Sequence, residues 1–532
     1  MSSALFSESL KNLSALRVSP LVIMLLAFSI GCAQPAEEVA DAQGEAQSDA
    51  VQDTWTCSTQ TDLPGDIVPT VADASQTDLD QYSWDSFLAL NASSVEGTIP
   101  TSGDTTPLWS QWSSTVDFIE NQGGDFGVAN YPTTCQNATL PEGKTYSDYR
   151  VIAQVDKVND SIVEAGDVTN TSIEKNRTQG VGFSDPLIAA NGHFVRYEIV
   201  INEVLFNYVK DLNLYNQAGL AALTGDLSFP AATNDDNGGD PSNANSGAIA
   251  VKLAWLNSDG LDTSQFHTAD LLVFTPGDYN STGQDSCELQ TMALVGMHLV
   301  RKTTKQPNWI WGTFEHKSNT PQCSGLPPQG TGSPSTGSPN TACPDSYSAS
   351  YTLNPGTDCD GGDCASCNTA PEPNCSGTSS SGWCVDQKAT SGFSQLCRQV
   401  QTGGQTTVDG YGSAGVNSTC ASSLGSSVWA NYELISTQWI NSSGDKVPTL
   451  PVGPIDGSTG EPKQRAYLAN VTMESTERSN CLGCHNAGVI SADDNPSQPS
   501  TDSMFWIAIE VPEGPSSDTA SLDTPEDEAA GP

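Results

Sequence analysis

The sequence predicts an α+β protein: one large body of helices and strands, interrupted by a disulfide-rich loop insertion. Two observations carry that prediction. Within the body the hydrophobic period switches between about 3.6 and about 2 residues, so neither helices nor strands account for it alone. Between 323 and 425 the chain changes to nine cysteines among Gly, Ser, Pro and Thr, with too few large apolar residues for a core of its own. At 532 residues there is room for a large body and such an insertion.

From the N-terminus, Lys11 and Arg17 precede an apolar run over 21–30 (LVIMLLAFSI) that ends at Gly31-Cys32. Residues 1–31 therefore read as a secretory signal, too short to span a bilayer as a helix. Cys32 follows Ile-Gly as in a bacterial lipobox, with Ser29 departing from the usual aliphatic residue; it is a candidate lipidation site, and ordinary cleavage nearby is the alternative. Residues 32–56 form a tether in which six acids stand without a base or an aromatic over 33–53.

The main body is expected over 57–322. In YSWDSFLALN, Trp84, Phe87, Leu88 and Asn91 follow helical spacing. Over 194–216 (FVRYEIVINEVLFNYVKDLNLYN), Ile201, Leu205, Tyr208 and Leu212 predict one helical face. AIAVKLAW then alternates at Ile249, Val251, Leu253 and Trp255, a strand signature. MALVGMHLV (292–300) and NWIWGTFEH (308–316) read as two further strands joined by RKTTKQP. In that reading His298 shares a face with Leu294 and Val300. The insertion occupies 323–425, and the body resumes over 426–511 with a last apolar run, MFWIAIEV (504–511). Residues 512–532 carry six acids and no base, and read as a disordered tail. The acidic runs Asp235, Asp236, Asp240 and Asp358, Asp360, Asp363 match no EF-hand pattern and read as solvated turns rather than calcium ligands.

The strongest chemical signal is Cys481-Leu482-Gly483-Cys484-His485, the one place where a Cys-x-x-Cys pair runs into a histidine. Two thiols three positions apart reach the vinyl groups on one edge of a porphyrin, and the adjacent histidine reaches the iron from the same side. The spacing predicts one covalent haem c held by Cys481 and Cys484, with His485 as proximal iron ligand. A disulfide between the two cysteines is the alternative, and zinc lacks a fourth ligand here. Cys364 and Cys367 have the same spacing but are followed by Asn368, so they belong with the disulfide set. Of fifteen cysteines, Cys32 and the two in the motif leave twelve, an even number.

The sixth iron position is less determined. His316, at the end of the aromatic run beside Glu315, and Met473, shortly before the motif, are the leading candidates; His193, His267, His298, Met297 and Met504 are weaker. An open position is the third option. A thioether opposite histidine favours reduced iron and suits electron transfer, whereas an open site beside a histidine suits peroxide or oxygen chemistry.

The chain carries 63 acidic and 20 basic residues, a formal net charge of −43, and loss of Glu8, Lys11 and Arg17 with the signal makes it one unit more negative. Such a charge disfavours nucleic acid and anionic lipid as partners, so membrane contact is expected only through a lipid anchor. It reads either as solubility or as a docking face for a basic redox partner protein. The sequence contains no GxSxG, HExxH or Walker-type loop. Two functions follow: single-electron transfer by an exported mono-haem cytochrome in the periplasm or at the outer membrane, or a haem enzyme, peroxidase- or oxidase-like, whose body builds a substrate pocket over the iron.

The succession WDSFLALN (84–91), FVRYEIVINEVLF (194–206), VKLAW (251–255), VGMHLVRKTTKQPNWIWGTFEH (295–316), ANYELISTQWI (430–440), LANVTMES (468–475) and CLGCH resembles a family of large exported bacterial single-haem proteins, described as cytochrome c family proteins. The resemblance spans roughly 79–510. It implies a c-type haem on Cys481, Cys484 and His485 without a settled substrate, and it places His316 and Met473 in motif stretches without giving either a role. The cysteine-rich insertion looks peculiar to this chain.

Overall fold

Eight strands build one mixed sheet in the computed structural model, which describes residues 55–57, 62–66, 76–93, 99, 106–121, 123–153, 186–233, 244–306, 309–323, 343, 351–356, 367, 374–375, 383–398, 414–439 and 471–473. The strands are β1 (Ser113–Ser114), β2 (Arg150–Ile152), β3 (Arg196–Ile201), β4 (Ile249–Asn257), β5 (Thr268–Thr275), β6 (Ser286–Lys302), β7 (Trp309–His316) and β8 (Tyr432–Gln438). Their hydrogen-bonded order is β1-β3-β4-β6-β5-β2, with β7 joining β6 to β8. Only β2 and β5 pair in parallel. The long β6 pairs with β5 through its first half and with β7 through its second, so β5 and β7 lie end to end along one edge.

The sheet curls. β1 covers only Val200 and Ile201 of β3, and β2 comes beside the uncovered half, where Arg150 pairs with Glu198 at 3.1 Å. The inner face carries Val200, Val251, Leu253, Trp255, Leu294, Met297 and Phe314. It is filled by α1 (Gln76–Asn91), whose Phe87 stacks on Phe314 at 4.2 Å while Trp84 meets the same ring edge-on at 5.2 Å. Gly312 is what lets α1 approach, since a Cβ there would stand 2.9 Å from the Ser83 hydroxyl.

The outer face holds two clusters. One gathers Phe118 of α2 (Thr115–Glu120), Leu205, Phe206 and Val209 of α4 (Glu203–Asp211) and Leu220 of α5 (Gln217–Ala221) over Trp309 and Trp311. The other joins Val195, Tyr197, Ala254 and Val295 to Leu396, Val471 and Met473. A single turn, α3 (Thr133–Gln136), carries Cys135 to its disulfide with Cys287 on β6.

The α+β class and the strands expected at 249–255, 292–300 and 308–316 stand as read. The helix expected over 194–216 does not: its first part is β3, and Ile201 is a strand residue. Asn202 ends the strand and starts α4, accepting from the Leu205 amide at 3.1 Å and from the Ile249 amide at 3.0 Å. Leu212 lies past the helix and is exposed. His298 shares the outer face with Val300 but not with Leu294, because an irregularity opposite Ala254 and Trp255 inserts one residue and inverts the alternation.

Five disulfides join Cys57–Cys420, Cys135–Cys287, Cys323–Cys397, Cys343–Cys367 and Cys375–Cys384. Three lie within 323–425 and join described residues of that cysteine-rich stretch. Its last helix, α6 (Ala414–Leu424), packs into the inner cluster and is tied by Cys420 to Cys57. Oxidised cysteines in this number fit a chain that folds outside the reducing cytoplasm. No helix among the described residues is long and apolar enough to cross a membrane.

Candidate functional site

Of the residues singled out in the sequence, Cys481, Cys484, His485 and Cys32 lie outside the described residues, as do Met504, Cys364, the run MFWIAIEV and both acidic runs. His316 and Met473 are described, and they come from different elements. Along β7, Phe314 points into the inner cluster, and His316, two residues on, follows it to the edge of Tyr432 at 5.2 Å. Met473 packs into the outer cluster with Val471. His316 also stacks on Phe266, which belongs to that same cluster.

His316 ends β7 at the seam where β5 and β7 meet along β6. Its ring stacks on Phe266 at 3.8 Å. The Ser318 amide donates to Nδ1 at 3.2 Å, which leaves the proton on Nε2, and Nε2 donates to the Gln265 carbonyl at 3.0 Å. Both ring nitrogens are thus engaged. Burial lowers the His316 pKa to about 3, with the Gln265 carbonyl opposing the shift. His267, at the start of β5, is buried on the same face, stacked on Trp429 at 4.9 Å and near the rings of Trp109 and Trp255, each at 6.0 Å. Burial, and then the Arg150 charge, lower its pKa to about 3. Its Nδ1 is buried and without a hydrogen-bond partner among the described residues. Tyr432 links the two histidines: its hydroxyl accepts from the His267 amide at 3.1 Å and donates to the Leu294 carbonyl at 2.8 Å.

Met473 belongs to the short segment 471–473 that precedes the Cys-x-x-Cys-His motif in the chain. Three contacts seat this segment on the outer face. The Val471 amide donates to Glu315 Oε1 at 2.6 Å, the Tyr197 hydroxyl donates to the Thr472 carbonyl at 3.1 Å, and Thr472 packs over the bare Cα of Gly296. Glu315 in turn holds Arg398 Nε at 3.2 Å through Oε2, and Arg398 reaches Glu433 at 3.3 Å. Burial raises the Glu315 pKa, and Arg398 opposes that rise. Arg398 is fixed from behind: its amide donates to the Pro321 carbonyl, the Cys323 amide donates to its own carbonyl, and the Cys323–Cys397 disulfide joins the two strands of chain.

Sequence reasoning passed over Glu315 and Arg398. The available signal was a lone carboxylate inside the aromatic strand WIWGTFEH, which demands a buried counter-charge. Nothing in the spacing pointed to Arg398, 83 residues away. Among the described residues, no group of three or more His, Cys, Asp or Glu side chains is placed to hold a metal ion. No protein-family model, curated protein or solved structure matches the chain.

Proposed function

We propose that the chain is an exported, lipid-anchored c-type cytochrome that carries one covalent haem and passes single electrons in the periplasm or at the outer membrane. The observation that carries this reading is CLGCH at 481–485, in a chain whose ten described cysteines are all disulfide-bonded. The cysteines of the motif would hold the porphyrin edge, and His485 would be the proximal ligand. Cys32 would carry the lipid.

Of the two distal candidates, Met473 fits this group better. It precedes Cys481 by eight residues, at most about 29 Å of extended chain. Its thioether makes no hydrogen bond among the described residues and sits in an apolar cluster. His316 would have to break the bond to Gln265 or to Ser318 before either nitrogen met a metal. Methionine opposite histidine favours the reduced iron, and a dry surrounding reinforces that preference. The acidic surface supports a basic protein as electron partner, with association that slows as salt rises.

The experiment is production with c-type haem attachment machinery. Haem staining should survive denaturing electrophoresis and vanish in Cys481→Ala/Cys484→Ala; staining retained in that double variant refutes the assignment. The ferric protein should be low-spin, with the weak long-wavelength band of methionine ligation, lost in Met473→Leu and kept in His316→Ala. A high-spin ferric spectrum that shifts with cyanide would replace the carrier reading by the haem-enzyme one.

A further inference from the structure

The inner face of the curled sheet is apolar beneath α1 but polar at the end where β3, β5 and β6 open. There the strands enclose a cleft of about 270 Å³, rimmed by His193 and by Lys388 from the cysteine-rich stretch, which both approach Asp259. That is just below the size range of drug-sized ligand sites, and it suits a small metabolite.

Arg196 is the buried charge of this cleft, only 4% exposed. Its NH1 donates to the carbonyls of Ala153 at 2.9 Å and Phe274 at 3.2 Å, and its NH2 donates to the Thr275 hydroxyl at 2.8 Å. All three partners are neutral. The nearest acid on its own strand and face, Glu198, is committed to Arg150 at 3.1 Å and to the Trp255 indole at 3.3 Å. Arg196 forms no ion pair with any described residue, and its Nε–H and one NH2 proton have no partner among them. Those two donors form one side of the guanidinium fork, the side that takes a carboxylate bidentately. The guanidinium is hydrogen-bonded only to neutral acceptors, with Asp386 acting on it through space, so its open fork can still take an anionic group.

The second charge is Glu288. In the β5–β6 register Thr275 lies opposite Ser286 and Val273 opposite Glu288, so the glutamate projects into the cleft from the strand next to the one Arg196 binds. Its carboxylate accepts only a long bond, 3.5 Å, from Gln290. Lys388 on the rim bonds Asp259, while Asp386 accepts from the neutral Ser281 amide and hydroxyl and acts through space on Arg196. The cleft therefore offers an open guanidinium fork on Arg196 and, on the neighbouring strand, a Glu288 carboxylate that forms no ion pair with a described residue.

We infer that this cleft binds a small zwitterion, its carboxylate on Nε and NH2 of Arg196 and its ammonium on Glu288. An α-amino acid is the simplest molecule of that class. A plain carboxylate would satisfy Arg196 but face Glu288 unpaired, and a plain amine would do the reverse.

Isothermal titration of the full chain tests this with alanine, β-alanine and γ-aminobutyrate, which vary the charge separation, against propionate and ethylamine as half-ligands. At least one zwitterion should bind about tenfold or more tighter than either half-ligand. Glu288→Gln, at an exposed position that leaves the fold intact, should weaken that zwitterion and erase its advantage over propionate, which should bind no worse than before. Arg196→Lys should weaken both by about tenfold or more, since a point charge cannot replace the fork; if that variant fails to fold, the Glu288 result decides alone. The inference is overturned if no zwitterion gives heat at millimolar concentration, if propionate binds as tightly as the best zwitterion, or if Glu288→Gln leaves their ratio unchanged.

Discussion

Gly296→Ala is the sharpest single test of how the segment ahead of the Cys-x-x-Cys-His motif is held. A Cβ at this position on β6 would stand 1.9 Å from Thr472 Oγ1 and 2.9 Å from Thr472 Cβ. The shortest ordinary C···O contacts are about 3.3 Å, so the hydroxyl would have to retreat by more than an ångström. Thr472 cannot swing into solvent, because it is fully buried, and its neighbours are pinned by the Val471–Glu315 and Thr472–Tyr197 bonds. Overpacking of this kind costs about 1–3 kcal/mol, and two strained hydrogen bonds place this case at the upper end. Urea unfolding should thus show a loss of about 2–3 kcal/mol. Thr472→Ala should recover more than half of it in the double variant, a coupling that the single changes alone do not predict. In the haem-loaded protein the same substitution should shift the reduction potential. A loss below about 0.5 kcal/mol, with no rescue by Thr472→Ala, would show that segment 471–473 is not seated on Gly296.

Acid should expose the buried histidines. His267, held near 3 when folded and titrating near 6.5 when unfolded, stabilises the fold above about pH 6.5 and loses that contribution as pH falls toward 3. Between pH 7 and pH 4.5 the wild type should lose about 2–3 kcal/mol more than His267→Phe, measured by urea unfolding; Asp85, raised to about 6 by burial, opposes the acid loss equally in both and cancels. Replacing Cys57 and Cys420 by serine opens a link across 363 residues of sequence and should cost about 2–5 kcal/mol. Replacing Cys323 and Cys397 should instead act locally, by loosening Arg398: hydrogen exchange at the Val471 amide should accelerate well before global unfolding, and unchanged protection there would break the proposed chain from insertion to segment.

What the residues reveal unaided follows a physical line. β4 and β7 are legible because alternation and dense aromatics persist over eight or nine residues. β3 is misread because RYEIVINEVLF satisfies both periods across a boundary that Asn202 alone marks. β5 carries just four large apolar residues, Leu271 to Phe274, in a run too short to declare a period. The curl depends on Arg150 finding Glu198, 48 residues away, a pairing no local pattern encodes. His316 is a reasonable candidate by type, yet its ring nitrogens are engaged by Ser318, two residues on, and by Gln265, 51 residues back, which no local pattern encodes.

The size of the body becomes intelligible through the Glu315–Arg398 pair. Glu315 stands near the end of β7, flanked by β6 and β8 and completely buried, where an unpaired carboxylate would be untenable. It is kept there by a guanidinium that comes from the cysteine-rich insertion, and it uses its second oxygen to hold Val471. The insertion, which composition alone presents as a decoration, therefore supplies the counter-charge for the residue that anchors the approach to CLGCH. A small carrier surrounds its haem with its own helices. On the function proposed above, the large sheet and the cysteine-rich stretch would act as the mount for the segment that precedes CLGCH, so mutations far from the motif, on β6 or beside Cys397, should register in the spectrum of the haem-loaded protein.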